Sequence, residues 1–179
     1  MTPDLTDTLC TRCGLCCDGT LFADVELAGR GEATRLSVLG LELDDDDGRG
    51  DLLVQPCAAL RGRRCGIYDH RPGVCRTFEC RLLQDARRGT VSVESARARI
   101  DEALRLVRRG KALLAGLGRR DTHLPLAERA AEALAVATDA GGRASARRAE
   151  LAATMSALAT LIRKTFLRGP RAGGTAARR

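Results

Sequence analysis

The sequence predicts a small, irregular α+β cysteine-rich unit followed by an α-helical region, mostly α overall. Three observations lead there. All eight cysteines lie between residues 10 and 80 of a 179-residue chain, and everything after residue 80 is cysteine-free. Apolar residues then recur at helical spacing from residue 93 to 166. Large core-forming side chains are scarce: the aromatics are Phe22, Tyr68, Phe78 and Phe166 alone, while alanine occurs 28 times. Aromatic residues bury the most area per side chain, so the core is thin for its length and the cysteines read as support as well as chemistry. There are too few β-branched residues for the core of a parallel sheet. The shift in composition divides the chain into a cysteine-rich unit at 1–89, a helical region at 90–168 and a basic tail at 169–179, expected to be disordered.

The elements follow in order. Leu21 to Leu27 alternates roughly in period two and predicts a short strand. Glu32 to Leu39 predicts a short helix with Ala33, Leu36 and Leu39 on one side. Asp44 to Asp47, followed by Gly48 and Gly50, reads as a solvated acidic loop; its acids lack the offsets of a calcium-binding loop. Leu52–Val54 predicts a second strand, ended by Pro56. Ile100, Leu104, Val107, Leu114 and Leu117 share one face of a helix over about 93–116, with Gly110 as an irregularity inside it. Leu126, Ala130, Leu134 and Ala137 mark a second helix, with Thr122 as its cap and Gly141-Gly142 as its stop. Leu151, Met155, Leu158, Ile162 and Phe166 mark a third, ended by Gly169-Pro170. Alanines between these positions let the helices approach closely.

The formal charge of +7 is unevenly spread. Residues 1–56 carry net −8 and residues 57–179 net +15, nearly all of the cations being arginine. We read the basic half as a solvated face in preference to a nucleic-acid footprint, and bound thiolates would make the chain less basic still. The first residues have neither the basic nor the apolar stretch of a signal peptide, and no apolar run reaches the length of a membrane span. The expectation is a cytoplasmic protein without a membrane partner, its other partners unspecified. In a reducing compartment, eight cysteines point to metal or redox chemistry in preference to a disulfide framework.

The cysteines form two groups in sequence. The first is Cys10-Thr-Arg-Cys13-Gly-Leu-Cys16-Cys17, and the second is Cys57, Cys65, Cys75 and Cys80. Two spacer residues let a loop bring two thiolates to one ion, and Cys13-Gly14 has the shape of a zinc knuckle. Adding Cys16 gives the three-cysteine half of a cubane iron–sulfur site that takes a remote fourth ligand. The metal is thus an iron–sulfur cluster, with the 4Fe–4S type among its forms, or zinc, in one or two sites. Cys16 and Cys17 are adjacent and cannot comfortably reach the same ion, so Cys17 belongs to a second site or is unligated. Cys75 and Cys80 would lie about 140° apart on an uninterrupted helix, so the backbone breaks between them or they serve different sites. Around them, Arg71 and Arg76 are candidates to offset thiolate charge or hydrogen-bond sulfur. Tyr68 and Phe78 are candidates to wall the site from water. Pro72 is placed to open a helix, with Asp69 or His70 near its cap.

The string Cys10-x2-Cys13-x2-Cys16-Cys17, then Cys57, Cys65-x-Ile67-Tyr68, Arg71-Pro72, Cys75-Arg76-x-Phe78 and Cys80, resembles the CxxCxxCC, or YkgJ-like, cysteine-cluster proteins. The resemblance covers about residues 10–85 and implies zinc or iron chelation through these cysteines, with no settled reaction. A relative that shares the motif, flagellin lysine N-methylase, implies methyl transfer, but no glycine-rich S-adenosylmethionine loop is found here. A cluster-dependent enzyme (redox or lysine methyl transfer) and a zinc-stabilised nucleic-acid or protein adaptor are the alternative readings.

Overall fold

A computed structural model describes residues 4–45, 51–136 and 142–167. More than half of these are helical. The chain opens with helix α1 (Leu5–Cys13), capped by Asp4, whose carboxylate accepts from the Thr6 N–H at 3.2 Å, and closed by Gly14 in the left-handed conformation at φ 72°. The Cys10-x-x-Cys13 pair therefore lies on the last turn of a helix. This corrects the expectation of a loop: spacing of i, i+3 puts both thiols on one helix face just as a knuckle would. Gly14 is also the place where another segment comes close, because a Cβ there would stand 3.2 Å from the Arg63 Cα.

A small antiparallel sheet follows in the order β1 (Asp24–Glu26), β3 (Asp51–Val54), β2 (Leu43–Asp45), with Val25 and Leu43 both opposite Leu53. Helix α2 (Arg30–Val38) lies between the first two strands in sequence. Asp44 and Asp45 stand in β2, where pairing with β3 overrides the loop reading; Asp46 and Asp47 lie outside the described residues. Leu27, Ala33, Leu36, Leu41, Leu53 and Ala59 form a small core of their own. A two-stranded hairpin, β4 (Leu60–Arg61) and β5 (Arg64–Cys65), leads through a 3₁₀ turn at Tyr68–His70 to helix α3 (Gly73–Thr77) and then α4 (Arg81–Arg87). Pro72 sits one residue before α3, at its cap and not inside it.

The second half has three helices: α5 (Val93–Gly116), α6 (Leu126–Ala135) and α7 (Gly142–Thr165). The helix expected at 93–116 forms, and Ser92 caps it by accepting from the Ser95 N–H. Two boundary expectations fail. Helix α6 starts after Pro125 without a side-chain cap, so Thr122 is not its cap. Gly142 opens α7 at φ +88° and does not stop α6. The expected stop at Gly169-Pro170, the tail at 169–179 and Ala137 lie outside the described residues.

The larger core joins Leu9, Leu15, Leu21, Leu82 and Leu83 to Ile100, Leu114, Leu126, Leu151, Leu158 and Phe166, so it draws on both halves of the chain. Arginines fasten the helices to one another. Arg147 donates to the Gly116 carbonyl at the end of α5 (2.8 Å), and Arg148 to the Leu134 carbonyl at the end of α6 (2.8 Å). Helix C-termini expose unpaired carbonyls, and guanidinium groups satisfy them.

Gly110 marks a close approach of the three helices. It is buried, and a Cβ on it would stand 3.4 Å from both the Leu126 Cδ2 and the Met155 Sδ. The irregularity seen in the sequence is thus the contact point of α5 with α6 and α7. Gly110→Leu overpacks that point and should destabilise the protein by about 1–3 kcal/mol, read from denaturant unfolding.

Candidate metal centre

The structure sorts the cysteines into two sets. Cys10 and Cys13 stand on α1, Cys16 on the following turn, and Cys80 directly before α4. Cys13, Cys16 and Cys80 pack against the larger core. Cys17 follows Cys16 in the same turn, Cys57 follows the cis Gln55–Pro56 bond, Cys65 ends β5 and Cys75 lies in α3. Cys57 packs against the smaller core. The two adjacent residues Cys16 and Cys17 thus belong to different sets. Cys75 and Cys80 do as well, because α3 ends at Phe78 in an extended conformation and the chain restarts as α4.

The electrostatics divide the same way. Burial is the first cause that raises these thiols, because a thiolate is poorly solvated inside protein. It lifts Cys13 to about 12, with the Leu15 N–H opposing and the Cys80 and Cys10 thiolates adding. Cys16 is raised by burial and then by Cys13 and Cys80, followed by its chain neighbour Cys17, whose influence crosses the division, and by Cys10. Cys10 is raised to about 11 by burial and Cys80, against Arg87 and Arg71. In the other set, Cys17 rises to about 12 through burial and then Cys57, Cys75 and Cys65. Cys75 rises to about 11 through burial, Cys57 and Cys65, with Arg71 opposing. Cys57 is raised by burial, against the Ala59 N–H, and Cys80 by burial, against the N–H groups of Leu83 and Leu82. Cys10 is exposed and the other seven are partly buried, and all eight are free of disulfides.

Four soft sulfur donors in each set suit zinc or an iron–sulfur cluster. Among the described residues, no three Cys, His, Asp or Glu side chains already stand in a group that could hold an ion. The thiols of each set are gathered but not closed on a point. The raised thiols of Cys10, Cys13, Cys17 and Cys75 are protonated at neutral pH without metal, so a bound cation takes the place of those protons.

The residues around the cysteines are placed as follows. The Arg71 guanidinium lies 3.6 Å over the Tyr68 ring, and its Nε donates to the Tyr68 carbonyl at 3.0 Å. Arg76 donates to the carbonyls of Arg71 (2.9 Å) and Asp69 (2.6 Å). Both arginines therefore lock the turn from Tyr68 to Arg76 that leads to Cys75, and Arg71 opposes thiol protonation in both sets. Phe78 meets Phe22 edge to face at 5.0 Å. Tyr68 is 41% exposed and Phe78 38%, so each ring, expected to wall the site from water, has part of its surface in solvent. His70 is exposed on the 3₁₀ turn.

Three positioning residues escaped the sequence reading. Gln55 is 2% exposed; its Oε1 accepts from the Cys57 N–H at 3.0 Å, and that N–H also donates to the Cys17 carbonyl at 2.8 Å. It fixes the Cys57 strip beside Cys17. Glu32, on α2, accepts from the N–H groups of Gly73 (2.8 Å) and Ala28 (3.0 Å), and so caps the helix that carries Cys75. Arg87, on α4, pairs with Glu79 beside Cys80 and donates to Thr6 of α1 at 2.8 Å. A glutamine before proline was a readable signal for Gln55; the partners of Glu32 and Arg87 are too distant in sequence to read.

Residues 9–96 match a family model described as "CxxCxxCC: Putative zinc- or iron-chelating domain". This stretch is a CxxCxxCC domain. All eight cysteines fall inside it, and chelation of zinc or iron is the role its family is described by. The match runs past the cysteines into the first residues of α5. No curated protein and no solved structure is matched by the chain. No helix among the described residues is long and apolar enough to cross a membrane.

Two predictions follow from the positioning residues. Gln55→Leu removes one of the two acceptors of the part-buried Cys57 N–H, which keeps the Cys17 carbonyl, and should cost about 0.5–1.5 kcal/mol in chemical denaturation. Glu32 is held below its ordinary 4.5, first by the Ala28 N–H and then by the Gly73 N–H, Arg35 and Arg76. A lowered carboxyl contributes stability above its unfolded pKa and loses it as pH falls through the folded one. Melting curves between pH 6 and pH 3 should therefore fall less steeply for Glu32→Gln than for the unmodified protein (roughly this acid window).

Proposed function

We propose that the chain is a metal-binding protein of the reducing cytoplasm with two four-thiolate centres, Cys10/Cys13/Cys16/Cys80 and Cys17/Cys57/Cys65/Cys75, the first of them an iron–sulfur cluster. The observation that carries this is the division of the adjacent Cys16 and Cys17 between two separately packed sets. The first set unites three cysteines at C-x2-C-x2-C spacing with one remote cysteine, the combination that cubane clusters use. The second draws its four from four separate segments. An iron–sulfur cluster supplies one-electron chemistry when bound, and its potential depends on hydrogen bonds to sulfur and on exposure.

The chain's own residues support such centres. Backbone N–H groups at Leu15, Ala59, Leu82 and Leu83 favour thiolates at Cys13, Cys57 and Cys80. Arg71 adds a positive charge felt by both sets, which four thiolates around one divalent ion would otherwise leave at net −2. The same N–H groups favour a zinc reading, since a zinc ion in each set would supply folding free energy of about 10–16 kcal/mol to a chain with a thin core.

Anaerobic purification with metal analysis and a visible spectrum tests the metal. The expected result is iron with sulfide and a charge-transfer band that bleaches on reduction; a colourless protein with stoichiometric zinc ends the iron–sulfur reading. The vicinal pair tests the division. Cys16→Ser should lose the iron and sulfide of the first centre and keep the metal of the second, and Cys17→Ser should do the reverse. If either single variant loses all metal, or neither loses any, the two-centre assignment fails.

A further inference from the structure

A cavity of about 250 Å³ lies beside the second set, and no cysteine lines it. Lys111 from α5, Arg119 and Arg120 from the loop after it and Arg129 from α6 line it, together with Asp18 and Pro56. Asp18 and Pro56 each adjoin a cysteine of that set, and the 2.8 Å bond from the Cys57 N–H to the Cys17 carbonyl holds their two segments together. Four cations and one carboxylate thus surround one small space. The carboxylate accepts from the Thr20 N–H at 3.0 Å and is attracted by Lys111, so it offsets one of the four positive charges.

Arg129 decides how this is read. The residue is only 7% exposed, and its Nε is buried without a hydrogen-bond partner. The one bond its guanidinium makes is a long one, 3.4 Å to the Arg119 carbonyl. Folded proteins rarely bury a charged donor unpaired, because the lost hydration is not recovered. A guanidinium placed this way satisfies its fork with the two oxygens of a carboxylate or phosphate. Leu126, the first residue of α6, also lines the space, and that helix has no side-chain cap on its first N–H groups. Lys111 and Arg120 are exposed and stand at the mouth. The volume falls below the ~300–1,000 Å³ of pockets for larger ligands, which excludes a nucleotide but admits a small anion.

We propose that this cavity is a binding site for a small multivalent oxyanion, phosphate or a compact polycarboxylate, held by Arg129 at its base and by Lys111, Arg119 and Arg120 around it. The site is independent of which metal the cysteines hold, and of whether they hold one.

The test uses the full chain with inorganic phosphate, pyrophosphate and citrate as probes, by calorimetric titration and thermal melting against sodium chloride at matched ionic strength. One of the three should bind at one per chain and raise the melting temperature beyond the chloride control. Lys111→Ala and Arg120→Ala alter exposed side chains and should fold normally; each should weaken binding by about tenfold or more, as loss of a charge-assisted contact does. Arg129→Gln should abolish it, and if that variant does not fold, the two surface variants carry the test. Affinity unchanged in the Lys111→Ala/Arg120→Ala double variant overturns the proposal. So does failure of all three probes, including the case in which an oligonucleotide binds and no small anion does.

Discussion

The constraint on which the rest depends is one peptide bond, the link between Cys16 and Cys17. Two consecutive side chains on a tight turn diverge, so they cannot be gathered to the same point. One is turned toward α1, α4 and the larger core; the other faces the segments that carry Cys57, Cys65 and Cys75. The remaining six cysteines then distribute by which body their segment belongs to. Of the two hydrophobic cores of unequal size, the larger takes Cys13, Cys16 and Cys80 against it and the smaller takes Cys57. The close approach of Gly14 to Arg63 is where the two bodies touch beside that turn.

Much of the helical half was legible in the sequence, for a simple physical reason. Ile100, Leu104 and Val107 repeat at the spacing of a helix that buries one face, and such a signal needs no knowledge of the partner. Helix ends were less legible. Pro125 and Gly142 set the limits of α6 and α7 where Thr122 and Gly141-Gly142 had been expected, because capping side chains are optional when the backbone conformation of proline or glycine serves. In the cysteine half, the identity of the donors was plain and their grouping was not. Spacing alone made Cys10-x-x-Cys13 equally compatible with a loop and with a helix, and the helix was decided by Asp4 and Gly14 at its two ends. Gln55 and Glu32 act through backbone N–H groups, which leave no mark on the sequence of their partners.

The charge asymmetry has a structural meaning that a count does not convey. Several arginines of the basic half are occupied: Arg147 and Arg148 close helix ends, Arg109 pairs with Glu150, and Arg87 joins α4 to α1. These are short-range tasks that use the reach and the several donors of the guanidinium. A lysine-rich chain of the same net charge would not do them as well. Positive charge therefore marks the seams of this fold more than it marks a partner.

One backbone contact ties the two ends of the design together. The Arg81 N–H, next to Cys80, donates to the carbonyl of Phe166 at 2.8 Å, just past the end of α7. A ribosome delivers residues in order, so all eight cysteines emerge long before that carbonyl does. The second thiol set has every segment it needs once residue 80 is out. The first set has its four sulfurs by then, but not the bundle that backs Cys80. Synthesis in chain order thus delivers every segment of the second set before the carbonyl that backs the residue next to Cys80 exists.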